Sequence, residues 1–239
     1  MKIFLVGEGP TDCGKAEYRQ CEGEYRWVEG PVQIYMRKYL PDAEIETMDR
    51  NSFLNESRNR KDKRNRRTLA GLKGHGTKAF FVSEMTKERG CDTAAVYVDS
   101  DKDQGSSQKT NHECKSRYDE ICGQLKTGFE KSGISRYLAI VPVKMIECWL
   151  MGDPVAFLSV YEKKPDPNLL RNPELLWGDE HNPDSSYPKN QLKRVLEQCG
   201  AECSMEEYNR IATAANRDTV ATSCPISFAD FARQLTALK

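Results

Sequence analysis

"TAAVYVDSDKD", residues 93–103, is the stretch on which the fold turns. Its apolar run, Ala94 to Val98, is nearly continuous, as in a strand buried on both faces of a parallel sheet. The run stops abruptly at Asp99, and Asp101 and Asp103 follow. Side chains alternate along an extended segment, so Asp99 and Asp101 point to one side. Asp103 sits in "DKDQGSSQ", where it reads equally as a cap or turn residue and as a further ligand.

The neighbouring segments alternate in type. Lys2 to Val6 is a short apolar strand. Pro31 opens "VQIYMRKYL", in which Val32, Tyr35, Met36 and Tyr39 fall on one helical face before Pro41 stops it. "AEIETM" alternates as a strand, and "KAFFVSEMTKERG" reads as a helix with Gly90 just past its end. A polar amphipathic helix is expected from Lys109 to Lys131. "RYLAIVPV" supplies another buried strand, and "KMIECWLMGDPVAFLSVY" is helical in part. Glu162 to Lys189 is rich in proline, asparagine and aspartate and reads mostly as loop. Two or three helices complete the chain.

This alternation predicts an α/β fold: a parallel sheet of about four strands with helices on both faces, plus a C-terminal helical extension. Residues 1–155 form the expected core, with a basic insert at 51–78. Residues 156–239 form a loop-rich segment and C-terminal helices packed on that core. In such sheets the working residues lie at the carboxyl ends of the strands. Glu8, after the first strand, and the aspartates from Asp99 are both placed there.

"VGEGPTDCGKA", residues 6–16, allows two readings. Gly9 to Lys15 matches the G-x-x-x-x-G-K frame of a phosphate-binding loop. That loop needs a Ser or Thr after its lysine to hold Mg²⁺, and here the position is Ala16. The residues after Lys15, "AEYRQCEGEYRWVEG", also lack a good apolar helical face. The acidic reading, in which Glu8 and Asp12 are placed to hold a metal, fits better. If the strands before Glu8 and Asp99 are neighbours, Glu8, Asp99 and Asp101 converge, and a hard cation relieves their repulsion.

These motifs resemble the Toprim domain, the metal-binding catalytic core of type IA and type II topoisomerases, bacterial primases and OLD-type nucleases. Its signature is a glutamate in a Gly-rich loop after the first strand and a D-x-D after the third. Glu8 in "VGEGPTD" and Asp99-Ser100-Asp101 in "VYVDSD" match it. The chain is similar in particular to small stand-alone Toprim-like proteins encoded beside ABC-type ATPases in bacterial anti-phage loci. Those carry a glutamate-x-tryptophan-leucine element after the fourth strand, here "MIECWLMGD" with Glu147. The resemblance covers roughly residues 1 to 155, with a weaker match in "YPKNQLKRVL" and "CPISFADFARQL". The long spacing from Glu8 to Asp99 departs from a minimal core.

The resemblance implies a Mg²⁺- or Mn²⁺-dependent nuclease acting on DNA or RNA under the control of an ATPase partner. Glu8, Asp99, Asp101 and Asp103 would bind metal. Glu147, in an apolar stretch where a carboxylate needs a partner, would complete a second metal or support the first. Lys189, in "SYPKNQ", would stabilise phosphate charge. Trp149 and Leu150 read as core. Topoisomerase action would need a tyrosine on a separate strand-passage domain, for which the chain leaves no room. The alternative is a non-catalytic Toprim-like binding subunit of an ATPase complex.

From Arg58 to Arg67 the chain carries seven positive residues and one acid. Arg58, Arg60, Lys61, Lys63, Arg64, Arg66 and Arg67 are therefore expected to contact nucleic acid, as a backbone clamp without aromatic base readers. Lysine plus arginine equal aspartate plus glutamate at 36 each, so net charge favours no partner. No apolar run reaches the ~20 residues that span a bilayer. The charged loop after Val6 argues against a signal peptide, which predicts a cytoplasmic protein. The nine cysteines are read as reduced thiols, and Cys199-x3-Cys203 lacks the partners of a zinc site. His75 and His112 read as surface residues.

Overall fold

Four parallel strands form the centre of the computed structural model, which describes residues 1–19, 23–63, 69–101 and 111–239. They are β1 (Lys2–Val6), β4 (Glu44–Met48), β5 (Thr93–Tyr97) and β6 (Tyr137–Ile140), in the order β4-β1-β5-β6. Val6 registers with Met48 on one side and Val96 on the other, and Tyr97 with Ile140. Every residue of β5 is buried, as its unbroken apolar run requires.

Alternation divides the sheet into two faces. Ile3, Leu5, Ala95, Tyr97, Leu138 and Ile140 enter one core, while Phe4, Val6, Ala94 and Val96 enter the other. The first face is covered by α2 (Pro31–Arg37) through Val32, Tyr35 and Met36. The second is covered by α3 (Arg50–Lys63), α4 (Gly74–Glu88) and α5 (Asn111–Ser132). Helices α4 and α5 approach closely: a Cβ on Gly128 would lie 2.0 Å from the Gly76 carbonyl oxygen. Gly90 takes a positive φ of 63° just past α4, as its place in the sequence predicts.

Two features before α4 depart from the sequence reading, and the chain ends in four helices where two or three were expected. Lys15–Arg19 (β2) and Glu24–Val28 (β3) form an antiparallel hairpin in which Tyr18 faces Tyr25 and Ala16 faces Trp27. The front of the basic insert is helical. Asp49 caps α3 by accepting the N–H groups of Asn51 and Ser52, and Phe53 anchors it in the second core.

Beyond β6 come α6 (Ile146–Leu150) and α7 (Pro154–Tyr161). Two 3₁₀ turns follow, at Pro167–Leu170 and Pro173–Leu175, within the segment read as loop. Four helices end the chain: α8 (Pro188–Cys199), α9 (Met205–Ala214), α10 (Arg217–Ser223) and α11 (Ser227–Ala237). Their apolar stripes join the first core around Trp149, which stacks on Phe231 and meets Phe228 and Tyr35 edge-on. The Ser227 hydroxyl accepts from the Trp149 indole and the Val143 N–H and donates to Glu174. Glu174 also accepts the N–H groups of Ile226 and Ser227, capping α11. The buried carboxylate of Glu174 is thereby satisfied within the fold.

Candidate active site

β1 and β5 lie side by side, and the chain leaves them toward opposite faces. Their carboxyl ends therefore flank the crevice where open α/β sheets place ligands. Glu8 stands two residues beyond β1, and Asp99 two beyond β5.

The loop after β1 is held by its glycines and by α2. Residues Pro10–Cys13 make a single helical turn (α1), and the Cys13 carbonyl accepts from both the Gln33 side chain and the Trp27 indole. Gly14 has φ 78° and ψ −179°, and a Cβ there would lie 2.0 Å from the Val28 carbonyl. Only glycine fits that conformation and that approach. Lys15 then enters a strand and not a helix, so the G-x-x-x-x-G-K frame packs a hairpin and builds no phosphate cradle. This compact loop carries Asp12, the second acid that the acidic reading of the loop placed beside Glu8.

On β5, the central residue of the D-x-D anchors the motif. The Ser100 hydroxyl donates to the Pro142 carbonyl and accepts the Lys144 N–H, tying the end of β5 to the loop after β6. Asp99 accepts from the Tyr97 phenol. Asp101 accepts from the Tyr187 phenol at 2.6 Å, a contact supplied by the residue just before α8. Glu147, buried in α6, lies 3.4 Å from the Tyr208 phenol of α9. The C-terminal extension thus reaches two of the expected acids.

Lys78, in α4, lies beneath the loop. Its Nζ is 3.4 Å from Glu8 and donates to the Tyr97 carbonyl at 3.2 Å, joining the ends of β1 and β5. Burial lowers its pKa, and Glu8 opposes that shift. His75, half-buried one turn earlier, lies within electrostatic reach of Glu8 and Lys78 and is no ordinary surface histidine. Lys189 is exposed in the first turn of α8, and its charge reaches Asp12 and Glu147.

Electrostatics knit the carboxylates together. Burial, then Glu147 and Glu8, push the Asp12 carboxyl up to about 7 against the pull of Lys189. Asp99 is held well above the carboxylate range by burial, Asp12, Glu147 and Glu8, against its Tyr97 bond. Burial also raises Glu147. Such mutual shifts mark acids crowded into low dielectric with too little positive charge.

The donor set is all carboxylate oxygen, which fits a hard divalent cation. Among the described residues no group of three or more His, Cys, Asp or Glu side chains stands as a ready cation cage. Mg²⁺ needs only one or two carboxylates beside its waters. Asp103 lies outside the described residues.

The basic run divides. Arg58 is exposed on α3, whereas Arg60 is committed to Glu56 and Glu88. The side chains of Lys61 and Lys63, and all of Arg64, Arg66 and Arg67, lie outside the description. Trp149 and Leu150 are core, as their sequence context indicated. The described cysteines are free thiols. No helix among the described residues is long and apolar enough to cross a membrane.

In comparisons with known proteins, no family model, no curated protein and no solved structure matches this chain. Its function must be argued from the site.

Sequence reasoning missed Lys78, Tyr187 and Tyr208, which are ordinary helix or turn residues until the fold brings them in.

Proposed function

We propose that this chain is a Toprim-type nuclease that cleaves phosphodiesters of DNA or RNA with Mg²⁺ or Mn²⁺. We further propose that it is the effector of an anti-phage system governed by an ABC-type ATPase. What supports this reading is that Glu8, Asp12, Asp99 and Glu147 influence one another electrostatically, with Glu8 and Asp99 at the ends of the neighbouring strands β1 and β5. The resemblance of the Glu8 loop, the D-x-D and the Glu147 element to Toprim nucleases supplies the reaction class.

In this reading Glu8, Asp99 and Asp101 hold the metal, and Glu147 and Asp103 serve a second ion. An ion held there would supply Lewis-acid polarisation of a phosphoryl oxygen and a more acidic water. The chain's own residues do the rest. Lys78 fixes Glu8 against the end of β5. Tyr187 and Tyr208 orient Asp101 and Glu147. Lys189, exposed at the start of α8, meets the negative charge of the substrate phosphate.

The test incubates purified protein, with and without its ATPase partner, with plasmid DNA and total RNA in Mg²⁺ or Mn²⁺. Cleavage that disappears in Asp99→Asn is the expected result. No cleavage in any combination would leave the non-catalytic subunit as the better description.

A further inference from the structure

A cleft of about 470 Å³ opens between the Gly7–Ala16 loop and the end of β4. Glu8, Lys15, Trp27, Arg50 and Asn51 line it, whereas Asp99, Asp101 and Glu147 do not. It is thus a space of its own that shares Glu8 with the carboxylate site. Its size is that of a small-ligand pocket.

Its walls have a definite chemistry. Trp27 is half-buried, and its indole N–H is bonded to the Cys13 carbonyl, which fixes the ring in the wall. Arg50 is exposed at the start of α3, and its charge acts on Lys78. Asp49 also lines the cleft, but its carboxylate caps α3 through Asn51 and Ser52. An aromatic plane beside a guanidinium suits a base and its phosphate. Helix α3 leads from this cleft toward the basic run, since Arg50 opens the helix and Arg58 and Lys63 follow along it.

We infer that this cleft seats one nucleotide of the bound strand, with its base stacked on Trp27 and its phosphate paired with Arg50. The inference rests on the nuclease reading. It adds to that reading a subsite that requires an unpaired, accessible base, and so a single-stranded or locally opened substrate.

Tryptophan fluorescence can test it without catalysis. The chain has three tryptophans, Trp27, Trp149 and Trp177, so Trp27→Phe isolates the cleft signal. The full chain in EDTA is titrated with a short single-stranded oligonucleotide, a nucleoside monophosphate and inorganic phosphate. The expected result is saturable quenching by the oligonucleotide that is absent in Trp27→Phe. Arg50→Ala should weaken oligonucleotide binding about tenfold, the scale of one lost charge-assisted contact. Arg50 is exposed, so its variant should melt like the parent. Quenching by the monophosphate but not by the oligonucleotide would overturn the strand subsite in favour of a free-nucleotide site. Quenching by none of the probes would overturn it altogether. Cleavage assays separate the two readings. Oligonucleotide binding without cleavage removes the nuclease and keeps the subsite. Cleavage with an unchanged KM in both variants removes only the subsite.

Discussion

Asp99 and Asp101 end β5 as carboxyl groups that accept from the phenols of Tyr97 and Tyr187. Replacing either with asparagine keeps the shape and an acceptor but removes a carboxylate that a cation would pair with. In the nuclease reading, cleavage should fall at least about a hundredfold, a few kcal/mol of transition-state stabilisation. The melting temperature of Asp99→Asn in EDTA should hold or rise, because Asp99 is crowded by burial and by Asp12, Glu147 and Glu8. Paired cleavage and melting measurements check this, and parental behaviour in both would remove these aspartates from any metal site. Gly14 is the opposite case, since its backbone carries the loop. Gly14→Ala should cost about 1–3 kcal/mol or more from positive φ alone, before the clash with Val28 is counted. A urea midpoint equal to the parent's would contradict that packing.

At the scale of elements, α3 joins a structural arginine to a basic run of a different kind. Arg60 ties α3 to α4 through Glu88, so Arg60→Ala should cost up to about 1 kcal/mol of stability, as partly exposed ion pairs do. Arg64→Ala, Arg66→Ala and Arg67→Ala together should leave stability unchanged and flatten the salt dependence of nucleic-acid binding, because each lost phosphate contact removes released counterions. Filter binding across a salt series decides this, and an unaltered slope would assign the run to solvent or to the proposed ATPase partner. Helix α11 is held by packing. Phe228 is fully buried against Trp149 and Tyr35, so Phe228→Ala should lower unfolding free energy by about 3–5 kcal/mol. Denaturant unfolding measures it.

For the molecule as a whole, the crowding of buried acids around Asp12, Asp99 and Glu147 predicts linkage between metal and stability. A cation that binds only the folded state stabilises it by about 1.4–2.7 kcal/mol when present at about ten to a hundred times its Kd. Thermal melts should therefore rise with Mg²⁺ or Mn²⁺ in the parent and respond less in Asp99→Asn. Equal responses in parent and variant would mean that the ion acts elsewhere. The C-terminal extension takes part, because Tyr187 and Tyr208 connect it to Asp101 and Glu147.

The amino-acid pattern alone dictates the layered α/β architecture and the strand ends that carry Glu8 and Asp99. Both follow from local rules: a doubly buried strand must be continuously apolar, and its first charges mark where it leaves the core. It also placed Trp149 in the core, because an apolar run with helical spacing needs a partner face. The hairpin was legible only in part. "EYR" and "EYRWV" around Gly23 carry the aromatic pattern of paired strands, but their pairing depends on Gly14 and Gly30 fitting closely to the Asp12 loop. The helical start of the basic insert was hidden, because like charges suggest an extended segment and Phe53 finds its pocket only after the second core has formed. The closed fold alone brings Asp12 under the influence of Glu147 and Asp99, lets Lys78 bridge β1 and β5, and carries Tyr187 to Asp101. These residues lie tens of positions apart, and the charge and burial that define their roles arise when the sheet and its covering helices close around them.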